Sequence, residues 1–82
     1  MLSRNEIIEK LKNVLIEMDP KNAQKVENVT DNTKLLTDLG IDSVSMLYLV
    51  IAVEETFDIY FDSDEQFVTV GQVVDYIQSK LQ

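Results

Sequence analysis

One junction constrains the fold more than any other stretch: Leu39-Gly40-Ile41-Asp42-Ser43, a turn that runs directly into an apolar segment extending to Phe57. Gly40 tolerates backbone angles that other residues resist. Asp42 has a side chain able to accept hydrogen bonds from the free amides of a first helical turn. Ser43 then stands at a helix head, where exposed amides and the helix dipole favour negative charge. A long helix from Ser43 or Val44 to Phe57 is therefore predicted, with a hydroxyl at its head suited to a bound phosphate.

That helix is apolar on more sides than a simple surface helix. On a 3.6-residue wheel, Met46, Leu49, Val50, Val53 and Phe57 share one direction and are predicted to face the core. Val44, Tyr48, Ile51 and Glu55 form an i, i+4, i+7, i+11 ridge on the opposite side. An apolar ridge of this kind marks either a protein-contact surface or burial under the preceding loop, and the sequence leaves both open.

The first helix opens with a capping box, Ser3 and Glu6, whose spacing satisfies two free amides reciprocally. Ile7, Ile8, Leu11, Val14, Leu15 and Met18 make its core stripe. Asp19-Pro20 closes it, because the residue before proline is disfavoured in the α region. Poor periodicity from Pro20 to Leu36 reads as a long loop, pinned over the helices by Val26, Val29 and Leu35. Asp58-Ile59-Tyr60-Phe61-Asp62 has β-rich composition but no second strand to pair with, so it reads as an extended connector with Ile59 or Phe61 turned inward. One short helical turn is expected over 62–67. Thr69 and Gln72 then repeat the capping-box spacing ahead of Val70, Val73, Val74, Ile77 and Leu81. The predicted architecture is all-α: an antiparallel four-helix bundle of three main helices plus one short helix, with a long loop between the first and second main helices. Residues 1–82 read as one domain.

Composition removes most catalytic readings. At 82 residues with 45% hydrophobic content, the chain supports one modest core, with a net stability of about 3–5 kcal/mol. It has no cysteine and no histidine, which removes disulfides, thiolate zinc sites and the usual base of a serine triad. Asp58, Asp62 and Asp64 have the alternation of calcium ligands but lack the glycine and terminal glutamate of an EF-hand, so no metal site is assigned. The net charge of −8 is one-sided: six acids balance six bases through Lys34, whereas Leu35 to Ser79 holds nine acids and no Lys or Arg. Such a field repels nucleic acid and anionic membrane and attracts basic protein surfaces. Charged residues follow Met1-Leu2-Ser3-Arg4 within a few positions, unlike a signal peptide, and the expected compartment is the cytoplasm.

Around Asp38-Leu39-Gly40-Ile41-Asp42-Ser43-Val44 the chain resembles the acyl carrier proteins, small helical bundles that bear 4'-phosphopantetheine on a serine. In that family Asp-Ser-Leu follows a Leu-Gly turn; here Asp42-Ser43-Val44 follows Leu39-Gly40, and Glu54-Glu55 and Phe57-Asp58-Ile59 match the acidic helix end. The likeness spans nearly the whole chain. It implies that Ser43, beside Asp42, receives phosphopantetheine from coenzyme A through a phosphopantetheinyl transferase, and that the terminal thiol carries an acyl group as a thioester. Catalysis then belongs to partners: an acyltransferase, ketosynthase or acyl ligase with basic patches, engaging Val44, Tyr48, Ile51, Glu54 and Glu55 of a monomeric carrier. Val50, Val53, Ile59 and Phe61 are the expected acyl pocket. Val44 in place of leucine, and Ser45 and Tyr48 where acids are common, leave fatty acid, polyketide and related pathways all open. The competing reading is an acidic helical adaptor that binds a basic partner, with Ser43 only a cap or a phosphorylation site.

Overall fold

The computed structural model describes residues 2–62 and 66–81. Helix α1 spans Arg4–Met18 and begins on the predicted capping box. The Ser3 hydroxyl accepts the Glu6 N–H at 3.2 Å, and Glu6 Oε1 accepts the Ser3 N–H at 3.0 Å. The Ser3 N–H on its carboxylate, followed by the nearby Ser3 hydroxyl, holds the Glu6 carboxyl below the usual carboxylate range. Ile7, Leu11, Val14 and Leu15 are buried, and Ile8 and Met18 are half-buried beside them. The helix stops at Asp19, which is extended and whose carboxylate accepts the Lys21 N–H at 3.1 Å.

The stretch expected as a plain loop is partly helical. Pro20–Asn22 forms a 3-10 turn, and Ala23–Glu27 forms the short helix α2. Five residues are too few to show a hydrophobic period, and a helix that short is not stable alone. Its formation follows from tertiary packing: Val26 is buried against the core, and α2 lies against α1. The short turn expected over 62–67 falls partly on Ser63, Asp64 and Glu65, outside the described residues; Asp62, Gln66 and Phe67 are not helical. Among the described residues, the short fourth helix is therefore α2.

Helix α3 runs Ser43–Phe57 and helix α4 Val70–Leu81. The predicted box at the head of α4 is present: the Thr69 hydroxyl accepts the Gln72 N–H at 3.2 Å, and Gln72 Oε1 accepts the Thr69 N–H at 3.2 Å. Helix α1 is the common partner, packing against both α3 and α4. Leu49, Val53 and Phe57 of α3 meet Val70, Val73, Val74 and Ile77 of α4 in one core that also takes in Val26, Leu35, Leu39, Ile41 and Ile59. The connector is extended, as expected, with Ile59 buried and Phe61 half-buried.

The described residues contain no strand, but one isolated antiparallel bridge joins Lys34 to Thr69. Around it the Leu35 N–H donates to Val68 O, Val70 N–H to Thr33 O and Gly71 N–H to Asp31 O, each at 2.9 Å. The close approach requires glycine, since a Cβ on Gly71 would stand 2.8 Å from the Asp31 carbonyl oxygen. Arg4 secures the same corner with bonds to Asp31 at 3.0 Å and Asp75 at 2.7 Å. The loop between α2 and α3 is thus fixed to the start of α4.

Candidate functional site

The site is built on the turn that precedes α3. Leu35, Leu39 and Ile41 are buried, so the backbone between them must fold back on itself. It does so through Gly40 N–H to Leu36 O and Ile41 N–H to Leu35 O, both at 2.9 Å. Gly40 has φ +69°, and a Cβ there would touch nothing within 4 Å. Its requirement is torsional, whereas that of Gly71 is steric. Asn22, on the 3-10 turn, donates from Nδ2 to Leu39 O at 2.9 Å and ties the turn to the end of α1.

Asp42 is the N-cap of α3, with Oδ1 accepting the Ser45 N–H at 2.9 Å while Met46 N–H bonds to Asp42 O at 2.8 Å. The Ser45 amide holds the Asp42 carboxyl below its usual range. Asp42 therefore keeps its negative charge and braces the helix head. Ser43 is the first residue of α3 and is exposed. Its hydroxyl stands exposed on a capped helix start.

Ser43 and Asp42 also form part of the wall of a groove of about 570 Å³, completed by Leu36, Ile41, Met46, Gln66 and Phe67. A second groove shares Leu36, Ile41, Met46 and Phe67 and continues onto Leu35 and Val68. An exposed serine at a helix head beside an apolar trough fits a phosphodiester-linked arm: the helix head suits the phosphate, and the trough suits whatever apolar group the arm carries.

The residues expected to meet partners fall into two groups. Val44, Tyr48 and Ile51 are each at least 52% exposed, so the loop between α2 and α3 does not cover them, and Glu55 is exposed on the same helix. Glu54 differs: it is half-buried, and Oε2 accepts the Phe61 N–H at 2.8 Å, which anchors the connector. Leu47 was missed. It is 66% exposed and completes an i, i+3, i+4, i+7 stripe with Val44, Tyr48 and Ile51, a spacing visible in the sequence. Of the expected acyl-pocket residues, Val53 and Ile59 are buried, and Val50 and Phe61 are half-buried. None of the four lines the two grooves at Ser43. The groove residue Phe67 carried no sequence signal, because it lies 24 positions from Ser43 and only the fold brings them together.

Among the described residues no three His, Cys, Asp or Glu side chains group as metal ligands, and no helix is long and apolar enough to cross a membrane. Asp64 of the acidic alternation lies outside the described residues.

Comparison with known proteins gives this geometry its context. The family model for the phosphopantetheine attachment site matches residues 6–77. The acyl carrier protein of Thermotoga maritima is 39% identical over 99% of this chain and 99% of its own length. That of Phenylobacterium zucineum is 37% identical over 94% of this chain and 96% of its own. The mitochondrial acyl carrier protein of Saccharomyces cerevisiae is 33% identical over 95% of this chain and 65% of its own. The matches imply a covalently attached 4'-phosphopantetheine, whose thiol holds acyl groups as thioesters, and dealings with a phosphopantetheinyl transferase and with biosynthetic enzymes. The protein carries and does not catalyse. Matched over most of its length by the attachment-site model and by carriers from bacteria and a mitochondrion, the chain belongs to the acyl carrier protein family.

Proposed function

We propose that Ser43 is the attachment point and that residues 1–82 act as one acyl carrier domain, monomeric and cytoplasmic. The observation that carries this reading is the exposed Ser43 hydroxyl at the capped head of α3, inside the matched region and on the rim of an apolar groove. In the loading step, Ser43 Oγ attacks the phosphorus of coenzyme A that bears pantetheine. The bond to 3',5'-adenosine bisphosphate breaks, and the hydroxyl proton passes to a base of the transferase. Asp42 is committed to the Ser45 amide, so its part is to hold the helix head in place.

The exposed ridge of Val44, Tyr48 and Ile51, with Glu55 and the outer oxygen of Glu54, is the proposed docking surface for transferase and for acyltransferase, ketosynthase or acyl ligase partners. Nine acids without a Lys or Arg from Leu35 to Ser79 suit basic patches on such enzymes. Val50, Val53, Ile59 and Phe61 are the proposed inner wall of the acyl pocket, lying behind the groove at Ser43 rather than lining it. The primary test is intact mass after incubation with coenzyme A and a broad-specificity phosphopantetheinyl transferase. The wild-type chain is expected to gain one phosphopantetheine and Ser43→Ala none. A modified Ser43→Ala would overturn the site, and an unmodified wild type would return the chain to the adaptor reading.

A further inference from the structure

Three aromatic rings take no part in attachment, and one of them, Phe67, borders the site. Phe61 and Tyr76 stack with centroids 4.8 Å apart, and Phe67 meets them edge-on at 5.6 and 5.5 Å. The far side of the trio is anchored. Asp62 N–H donates to the Tyr76 hydroxyl at 3.0 Å, that hydroxyl donates to Asp62 Oδ2 at 3.2 Å, and Lys80 Nζ lies 5.4 Å over the Tyr76 ring. Phe67 also lines the groove at Ser43 and the second groove that adjoins it. A single ring is therefore shared between the groove and the inner wall that Phe61 begins.

That ring packs against a core that is closed to water. Val53, Val74 and Ile77 are 0% exposed and Val73 1%, and a close-packed interior admits new atoms only by displacing old ones. Phe67 is the displaceable member, half-buried and on a non-helical segment. Its two aromatic neighbours hold it in place by contacts that favour edge-on geometry.

We infer that Phe67 is a specificity-determining residue for cargo: it confines the acyl chain to the groove of Leu36, Ile41 and Met46 and closes the way to Phe61, Val53 and Ile59. This rests on the carrier reading above. The flexible arm doubles back from Ser43, the first carbons of the cargo lie in the groove, and carbons beyond its end stay in water. Each methylene moved from water to an apolar site shifts the in/out equilibrium by about fourfold, so the dependence of protection on chain length reports how far the cargo penetrates.

The test loads Ser43 from octanoyl- and tetradecanoyl-coenzyme A with the transferase and measures thioester cleavage by hydroxylamine and the melting temperature of each loaded form. Wild type is expected to protect both thioesters alike, within about twofold, and to melt at the same temperature with either. In Phe67→Ala the tetradecanoyl thioester should be cleaved at least about fifteenfold more slowly than the octanoyl one, the effect of two further buried methylenes, and its melting temperature should rise with chain length. Phe67→Leu keeps an apolar contact with Phe61 and Tyr76 and serves if the alanine variant does not fold; it should show the same trend at smaller amplitude. Wild-type protection that climbs with chain length, or variants as flat as wild type, overturns the inference while leaving the carrier reading intact. Failure of any form to gain mass on Ser43 defeats the carrier reading and this inference with it.

Discussion

The two faces of α3 are similarly apolar and differently employed. On one side Leu49, Val53 and Phe57 are at most 6% exposed; on the other Val44, Leu47, Tyr48 and Ile51 are each at least 52% exposed. The outer face meets neither α1 nor α4, since both lie on the inner side, and the loop between α2 and α3 is drawn away toward α4 by its backbone bonds to 68–71. A small carrier cannot spend four large apolar side chains on solvent without loss of solubility, and the surrounding acids supply the compensation. Apolar content alone therefore does not identify a core residue; the position of its neighbours does.

The largest expected effect tests the inner face. Leu49→Ala should cost about 2–5 kcal/mol and Val53→Ala about 1–3 kcal/mol in chemical unfolding, a large share of the total stability of so small a domain. The loading rate per folded molecule should stay unchanged. A stable Leu49→Ala variant with slow loading would reverse the assignment of the faces.

The outer face should give the opposite pattern. Tyr48→Ala and Ile51→Ala are expected to shift stability by less than about 0.5 kcal/mol, yet to slow transferase loading by reducing contact area. Loading of all forms should also slow as salt rises, because the nine unopposed acids steer basic partners over a Debye length of about 10 Å at 0.1 M. Salt-independent loading would assign docking to the apolar stripe alone. Ile51→Ala as destabilising as Val53→Ala, with normal loading, would make the ridge a second core face.

The smallest effect concerns the helix head that both faces share. Asp42 has a depressed pKa because the Ser45 amide binds its carboxylate. Its contribution is fully present above the ordinary aspartate value of about 3.9 and is lost as pH falls through the depressed value. Glu6 at the head of α1 has the same sign for the same cause. Amide exchange followed downward from pH 5 should show the protection factor of Ser45 falling before that of Val53. Simultaneous loss at both amides would mean that the head and the buried middle of α3 open as one unit.

Local rules made much of this molecule legible. Capping spacings located the starts of α1 and α4 at Ser3 and Thr69, Asp19-Pro20 located the first stop, and Asp42-Ser43 located the start of α3. Each is a contract between residues at most four positions apart, so it can be read without the fold. The helix Ala23–Glu27 could not, because five residues form no period and Val26 is held by α1 rather than by its own neighbours. Leu47, by contrast, stands at i+3 from Val44, a signal that the spacing alone carries.

The sequence by itself determined the helical class, the starts of the three long helices and the stop of the first, the serine at the head of α3 and the one-sided charge, since all follow from short-range spacing and composition. Tertiary structure alone decided that the loop before α3 leaves its outer face uncovered, that the loop after α2 bonds to the start of α4, and that Phe67 shares a groove with Ser43. These depend on backbone groups and side chains tens of residues apart, and their energies exist only once α1 has gathered α3 and α4 against it.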